Sequence, residues 1–236
     1  MKYQSTFKRY EIKYLLTHQQ KALVLQAMEP YMRLDAYGRT TIRNIYFDTD
    51  TFRLIRRSLE KPVYKEKLRI RSYQAVRSSD PVFVELKKKY KDVVYKRRLV
   101  LSEAKAMESF LCGIPLPVHS QIADEINYFR EYYQPLHPTV FLSYEREAFY
   151  ALDGGDFRVT FDENILCREN DLSLASEIYG TPLLDEGKAL MEIKTSGGIP
   201  VWMSRLLAQQ KIYKTSFSKY GAAYQKIITN GGKKYA

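Results

Sequence analysis

Two cysteines in 236 residues, Cys112 and Cys167, exclude a disulfide framework and any CxxC metal knuckle, and both read as buried thiols. Histidine is almost as scarce. His18, His119 and His137 form no HExxH pair and have no zinc-site spacing. No apolar run approaches the ~18 residues of a membrane-crossing helix. Met1 to Tyr14 is too polar for a secretory signal, so a soluble, cytoplasmic protein is the expectation. Eleven glycines and nine prolines are too few for a collagen-like or low-complexity chain. Gly187-Lys188 is not a P-loop, because Gly180 stands at the wrong spacing before it and no Ser or Thr follows.

Negative charge is the other shortage. Lysine and arginine number 38 against 27 acids, a net charge of +11. Between Lys65 and Arg98 there are twelve basic and four acidic residues, a local +8. A partner for that stretch has to be anionic: nucleic acid, phospholipid or a small polyphosphate. With 45% hydrophobic residues a sizeable core can form. No linker, repeat or composition shift divides the chain, which reads as one domain over 1–236.

Alternation and capping signals predict strands over 6–15, 39–48, 65–74, 82–91, 93–101, 139–152, 157–162 and 189–194. Lys91-Asp92 belongs to the turn between two of them. Helices are predicted after Thr17, Thr49 or Asp50, Ser102, Ser120, Pro200 and Ser218. About eight strands joined by tight turns imply an antiparallel sheet and an α+β fold, with a closed barrel as the compact solution.

Side chains on a strand alternate between faces, and here the charges sort cleanly. One face carries Lys65, Lys67, Arg69 and Arg71; the next strand carries Glu85, Lys87 and Lys89. Lys96 and Arg98 share a face, as do Arg9, Glu11 and Lys13; Arg158, Thr160 and Asp162; and Glu192 and Lys194. The opposite faces are mostly apolar, with aromatics such as Tyr10, Tyr14, Phe157 and Phe161. A charged strand face is ordinarily a solvated surface. These faces are strongly one-signed, and like charges on neighbouring strands repel. A lumen lined with cations and filled by a phosphate chain accounts for both facts.

Nine segments, in order from Phe7 to Tyr220, carry a resemblance. They are Arg9-Tyr-Glu-Ile-Lys-Tyr14, Ile45-Tyr-Phe-Asp-Thr49, Lys67-Leu-Arg-Ile-Arg71, Glu85-Leu-Lys87 and Lys96-Arg-Arg98, followed by Tyr144-Glu-Arg-Glu-Ala-Phe149, Phe157-Arg-Val-Thr-Phe-Asp162, Met191-Glu-Ile-Lys194 and Ser218-Lys-Tyr220. Together they resemble the VTC domain of polyphosphate polymerases, within the triphosphate tunnel metalloenzyme or CYTH-like superfamily. The resemblance implies an eight-stranded antiparallel β-barrel tunnel with flanking helices. It also implies transfer of the terminal phosphoryl group of ATP to a growing polyphosphate, with Mn²⁺ or Mg²⁺ as cofactor. It carries phosphate binding onto Lys13, Arg69, Arg71, Lys87, Lys96, Arg146, Arg158 and Lys219, with Arg69, Arg71, Lys87, Arg146 and Arg158 closest to the chemistry. The Lys-Arg-Arg triplet admits Lys96 or Arg98 at one family position, and alternation adds Lys67, Arg98 and Lys194. The metal role falls on Glu192, with Glu11 second, while Glu85 reads as a salt-bridge partner.

Two departures stand out. Hydrolytic relatives begin with Glu-x-Glu-x-Lys, and Arg9 replaces the first Glu, which favours the polymerase branch. Ser216 stands where a basic residue often precedes the Ser-Lys pair. Three functions remain open: an ATP-dependent polymerase, a triphosphate or polyphosphate hydrolase on the same tunnel, and a non-catalytic polyanion binder. Nucleic acid is disfavoured, because binders of single strands interleave exposed aromatics with their basic residues. A separate membrane protein could receive the product.

Overall fold

The structure of the chain, a computed structural model, describes residues 6–91 and 93–232, with side chains from 10 to 227. The side chains of Phe7 and Arg9, and Asp92 of the expected turn, lie outside the described residues.

The chain begins with β1 (Thr6–Thr17), α1 (His18–Met28), β2 (Met32–Leu34), β3 (Thr40–Asp48) and α2 (Arg53–Leu59). A meander of β4 (Tyr64–Ser72), β5 (Pro81–Tyr90) and β6 (Val93–Ser102) leads into α3 (Glu103–Leu111) and α4 (Gln121–Tyr132). Then come β7 (His137–Ala151), β8 (Arg158–Arg168), β9 (Thr181–Pro182), β10 (Lys188–Thr195), α5 (Val201–Gln209), β11 (Lys214–Thr215) and α6 (Lys219–Gly232).

Local chemistry explains several boundaries. Thr17 and Gln20 form a reciprocal capping box at the start of α1, each side chain taking the other's backbone N–H. Ser120 accepts from Ala123 N–H at the start of α4. The Ser102 side chain caps nothing, although α3 starts directly after it. The long strand β8 runs past its expected end at Asp162, because a bulge near Asn164, which adopts φ +49°, carries the pairing with β7 on to Arg168.

Every pairing in the sheet is antiparallel, and the order is β2-β7-β3-β4-β5-β6-β1-β10-β8-β9, with β11 against β1. β7 also pairs with β8 at its other edge. The β1–β6 join is brief. Thr6 to Arg9 face Arg97 to Val94, and beyond those four residues each strand runs on without the other. The architecture is therefore an α+β antiparallel sheet with flanking helices, strongly curved but open along that side, rather than a barrel sealed throughout.

Most apolar strand faces point outward beneath helices, as the alternation predicts. Ile45, Phe47, Leu68, Ile70, Val84 and Leu86 pack under Phe110, Ile126 and Phe129 of α3 and α4. Tyr14, Leu16, Phe161, Met191 and Ile193 pack under Val24 and Met28 of α1 and Met203 and Leu207 of α5. Each such side chain contributes about 1.5–3 kcal/mol when fully buried. The last helix is different. Tyr220, Ala223 and Tyr224 of α6 pack on Ile42, Tyr46, Val140, Leu142 and Leu190, on the concave face. That face is thus basic over part of its extent and apolar where α6 covers it. Cys112 is exposed and only Cys167 is buried, against the expectation for both. Tyr10, expected on the apolar face, is half exposed beside the cavity.

Candidate active site

The concave face encloses a cavity of about 1740 Å³. Its wall includes Glu11, Lys13, Lys67, Arg69, Arg71, Lys87, Lys96, Arg98, Arg146, Arg158, Glu192, Lys194 and Lys219. Every residue that the sequence assigns to binding, catalysis or metal faces this one space. Register brings like charges directly opposite one another, with Lys67 facing Lys87 and Lys87 facing Lys96. Such pairs are destabilising unless something compensates them.

Two carboxylate centres provide part of that compensation. Glu85, fully buried behind the cavity wall, accepts from Nε and Nη2 of Arg69 at 2.9 and 2.7 Å, and from Nε and Nη2 of Arg98 at 2.8 and 2.6 Å. Lys96 Nζ lies 3.3 Å away and Arg71 Nε 3.9 Å away. Burial pushes the Glu85 carboxyl up, but Arg71, Arg69, Lys96 and Arg98 outweigh it, and its pKa falls well below the ordinary value. Glu85 is a structural counter-charge, as the sequence suggests.

The second centre joins Asp162 and Glu192. Asp162, fully buried, accepts a bidentate pair from Arg146 at 2.6 and 2.7 Å and also meets Lys219. Glu192 has Lys194 at 2.9 Å, Lys13 and Lys219 at 3.4 Å, and Arg146 at 3.5 Å. Burial raises its pKa, and these four cations more than reverse that, well below the usual range. Glu11 accepts from Lys87 Nζ at 2.6 Å; there too burial is outweighed, and its pKa is held near 2.

The remaining cations lean on neutral groups. Arg71 donates to Asn44 Oδ1 at 2.9 Å and to the Tyr144 hydroxyl at 2.8 Å. Lys67 donates to Ser218 Oγ at 2.8 Å. Arg158 makes no hydrogen bond or ion pair among the described residues, and its buried Nε is unpartnered. Burial drives Lys67 well below its ordinary pKa, with help from Lys13, Lys87, Lys65 and Arg69. Burial likewise lowers Lys96 to about 6 and Lys194 to about 7, against the pull of Glu85 and Glu192 respectively. For Lys96 and Lys194 desolvation outweighs the carboxylate each one meets, whereas Lys67 has no acid within ion-pair distance among the described residues.

Four contributors were not assigned a role from the sequence. Asp162 shares the alternation face of Arg158 and Thr160, so its position was visible although its task was not. Tyr46, whose hydroxyl accepts from Arg69 at 2.8 Å, and Asn44 sit in the strand predicted over 39–48, where alternation gave them no role. Tyr144 shares the face of Arg146.

No three of His, Cys, Asp or Glu come together as a metal cage among the described residues. Asp162 does not line the cavity, whereas Glu192 and Glu11 do, and a metal there would share them with Lys194 and Lys87. One or two carboxylates, completed by phosphate oxygens and water, is how Mg²⁺ is usually held at phosphoryl-transfer sites. The pair fits that donor set and would not form an all-protein cage.

The model of the VTC domain matches residues 8–228. The chain belongs to the VTC domain family. One solved structure, at a TM-score of 0.57, shows the same fold. A protein of Bacillus halodurans, provisionally named an adenylate cyclase, aligns with a TM-score of 0.57 at 17% identity, over 91% of this chain and 96% of that one. A second protein with the same provisional name, from Vibrio parahaemolyticus, gives 0.46 at 11% identity over 94% and 99%. A protein of Pyrococcus horikoshii gives 0.45 at 13% over 93% and 98%. No curated protein matches the chain in sequence. The VTC match and the shared fold put the chain in the tunnel superfamily and point to phosphoryl-transfer chemistry. No helix of the described residues is long and apolar enough to cross a membrane.

Proposed function

We propose that this VTC domain is a polyphosphate polymerase. It would transfer the terminal phosphoryl group of ATP to a growing inorganic polyphosphate and release ADP, with Mn²⁺ or Mg²⁺ as cofactor. The observation that carries the proposal is the surplus of cations around one cavity. Glu85, Asp162, Glu192 and Glu11 are each already engaged. Lys67 and Arg158 still have no acid within ion-pair distance among the described residues. A chain of phosphates supplies the missing charge along the whole wall.

The chemistry asks little covalent work of the protein. An oxygen of the acceptor's terminal phosphate forms the new bond to the γ-phosphorus as the bond from that phosphorus to the β-bridging oxygen breaks. The attacking oxygen is already anionic, so no general base is required. Arg69 and Arg98 are locked by Glu85, and Arg146 by Asp162, so their positions are fixed before substrate arrives. Arg71 and Arg158 offer planar forks to non-bridging oxygens, while Lys13, Lys67, Lys87, Lys96, Lys194 and Lys219 act as point charges. A divalent ion held by Glu192 and Glu11 together with phosphate oxygens would neutralise charge developing on the leaving group.

Incubation with ATP and Mn²⁺ tests the reading through its products. ADP accompanied by long-chain polyphosphate supports it. Free phosphate in step with ADP would instead make the domain a hydrolase. Tight polyphosphate binding with neither product would make it a binder.

A further inference from the structure

We infer that Asp48 and Tyr220 are positioning residues for the anion site: their buried hydrogen bond fixes where α6 begins, and through it the place of the Lys219 ammonium. The inference rests on the reading of Lys219 as a phosphate-binding group.

Asp48 ends β3 and is fully buried, with no cation against it among the described residues. Its Oδ1 accepts from the backbone N–H of Thr49 and of Leu54, each at 2.8 Å. Its Oδ2 accepts from Ile55 N–H at 3.0 Å and from the Tyr220 hydroxyl at 2.9 Å. Satisfying the first turn of α2 needs only a neutral cap such as Ser or Asn. A buried carboxylate is a costly choice for that task alone. What the charge adds is a strong, directional bond to Tyr220 from the opposite end of the sequence.

Tyr220 has no other place to go. Its ring stacks on Tyr46 with centroids 4.7 Å apart, and its hydroxyl also lies 3.1 Å from Thr139 Oγ1. The next residue, Gly221, sits so close to α2 that an added Cβ would come within 3.0 Å of Leu59 Cδ2 and 3.2 Å of Ser218 Cβ. Asp48 therefore holds α2 by its backbone and α6 by its tyrosine, and the two helices pack closely at Gly221 and Leu59. Of the three residues just before Tyr220, two receive lysines of the cavity and the third is one. Phe217 C=O accepts from Lys13 at 2.7 Å, Ser218 Oγ accepts from Lys67, and Lys219 itself reaches Asp162 and Glu192. Lys13 and Lys67 are carried by other strands, so a small displacement of this turn chiefly moves the Lys219 ammonium, and a misplacement of about 1 Å can cost a positioned group about 10²-fold in rate.

The test is a double-mutant cycle read by calorimetric binding of inorganic tripolyphosphate. Tyr220→Phe deletes one oxygen and keeps the stacked ring. It should weaken binding about 5- to 10-fold, and Lys219→Met by at least as much. The double variant should bind no more weakly than Lys219→Met, because Tyr220 acts through Lys219. Additive losses, or wild-type affinity in Tyr220→Phe beside a weakened Lys219→Met, would overturn the positioning role. Wild-type affinity in Lys219→Met would overturn the underlying assignment of Lys219, and the inference with it. Thr139→Val removes the hydroxyl's other neighbour and serves as the second variant. It should lower the melting temperature and leave tripolyphosphate affinity unchanged. An equal loss of affinity there would show a general packing effect and refute the link through Asp48.

Discussion

Glu85→Gln is the most demanding perturbation that the site allows. The wild-type carboxylate takes four guanidinium hydrogen bonds, two each from Arg69 and Arg98, with Lys96 beside it, and none of its surface is exposed. Glutamine preserves the shape, removes the charge and turns an N–H₂ toward one guanidinium. Deleting one partner of a buried ion pair costs about 3–5 kcal/mol. For a domain of this size each kcal/mol moves Tm by roughly 2–4 °C. The variant should therefore melt about 6–20 °C below wild type. A second consequence has the opposite sign. Arg69, Arg98 and Lys96 lose their internal anion, so an external one should bind more tightly. If the dissociation constant for tripolyphosphate falls about tenfold, saturating ligand returns about 1.4 kcal/mol more to the variant than to wild type, or roughly 3–6 °C. Thermal melts of both proteins with and without millimolar tripolyphosphate read both effects. A variant that melts with wild type, or that gains no more from tripolyphosphate than wild type does, would refute the balance of charges described here.

Other substitutions separate binding from folding. Arg158→Ala breaks no hydrogen bond or ion pair among the described residues, so stability should stay within about 0.5 kcal/mol while polyphosphate synthesis falls about 10²-fold. Arg69→Ala should lose similar activity but also melt lower, because it strips two bonds from Glu85. Lys67 titrates far below its ordinary value in the folded chain, so the unfolded chain holds a proton that the folded one sheds. Lys67 thus makes stability climb as pH rises toward 10.5. In Lys67→Met, urea unfolding at several pH values should show that climb flattened, with greater stability at pH 7 and weaker tripolyphosphate binding. Glu192→Gln should keep part of its ATP affinity and lose synthesis across a Mn²⁺ titration. Retention of both activity and wild-type metal dependence would make Glu192 a salt-bridge residue and move attention to Glu11.

Much of this was legible in the sequence because a strand has a period of two. Arg69 and Arg71, Lys87 and Lys89, and Lys96 and Arg98 announce a shared face before any coordinate is known. Antiparallel order followed from the short local connections of the β4–β5–β6 meander, residues 73–80 and 91–92. The strands that escaped notice, β2, β9 and β11, are two or three residues long and carry no period at all. β8 runs beyond the predicted 157–162 because the bulge at Asn164 breaks the alternation without ending the strand. Within the site, alternation says which way a side chain faces but not what it meets. Nothing local in Glu192 reveals the four cations around it. Asn44 and Tyr46 share one face of β3, and only the register with β4 shows that they receive Arg71 and Arg69. The covering of the concave face by α6 depends on contacts across the whole chain, which no window of sequence contains.

The carboxylates behind the wall also constrain how such a domain can change over generations. Glu85 is shared by strands β4, β5 and β6, so Arg69, Arg98 and Lys96 are not independent positions. A lineage that exchanges Glu85 for a neutral residue inherits unbalanced cations, and one that discards Arg98 leaves a half-satisfied acid. Viable histories should therefore pass through joint replacements, with the Lys-Leu-Arg-Ile-Arg, Glu-Leu-Lys and Lys-Arg-Arg segments changing together or not at all. Arg158, tied to no acid, is the position at which drift can begin alone, at the expense of substrate rather than of the fold.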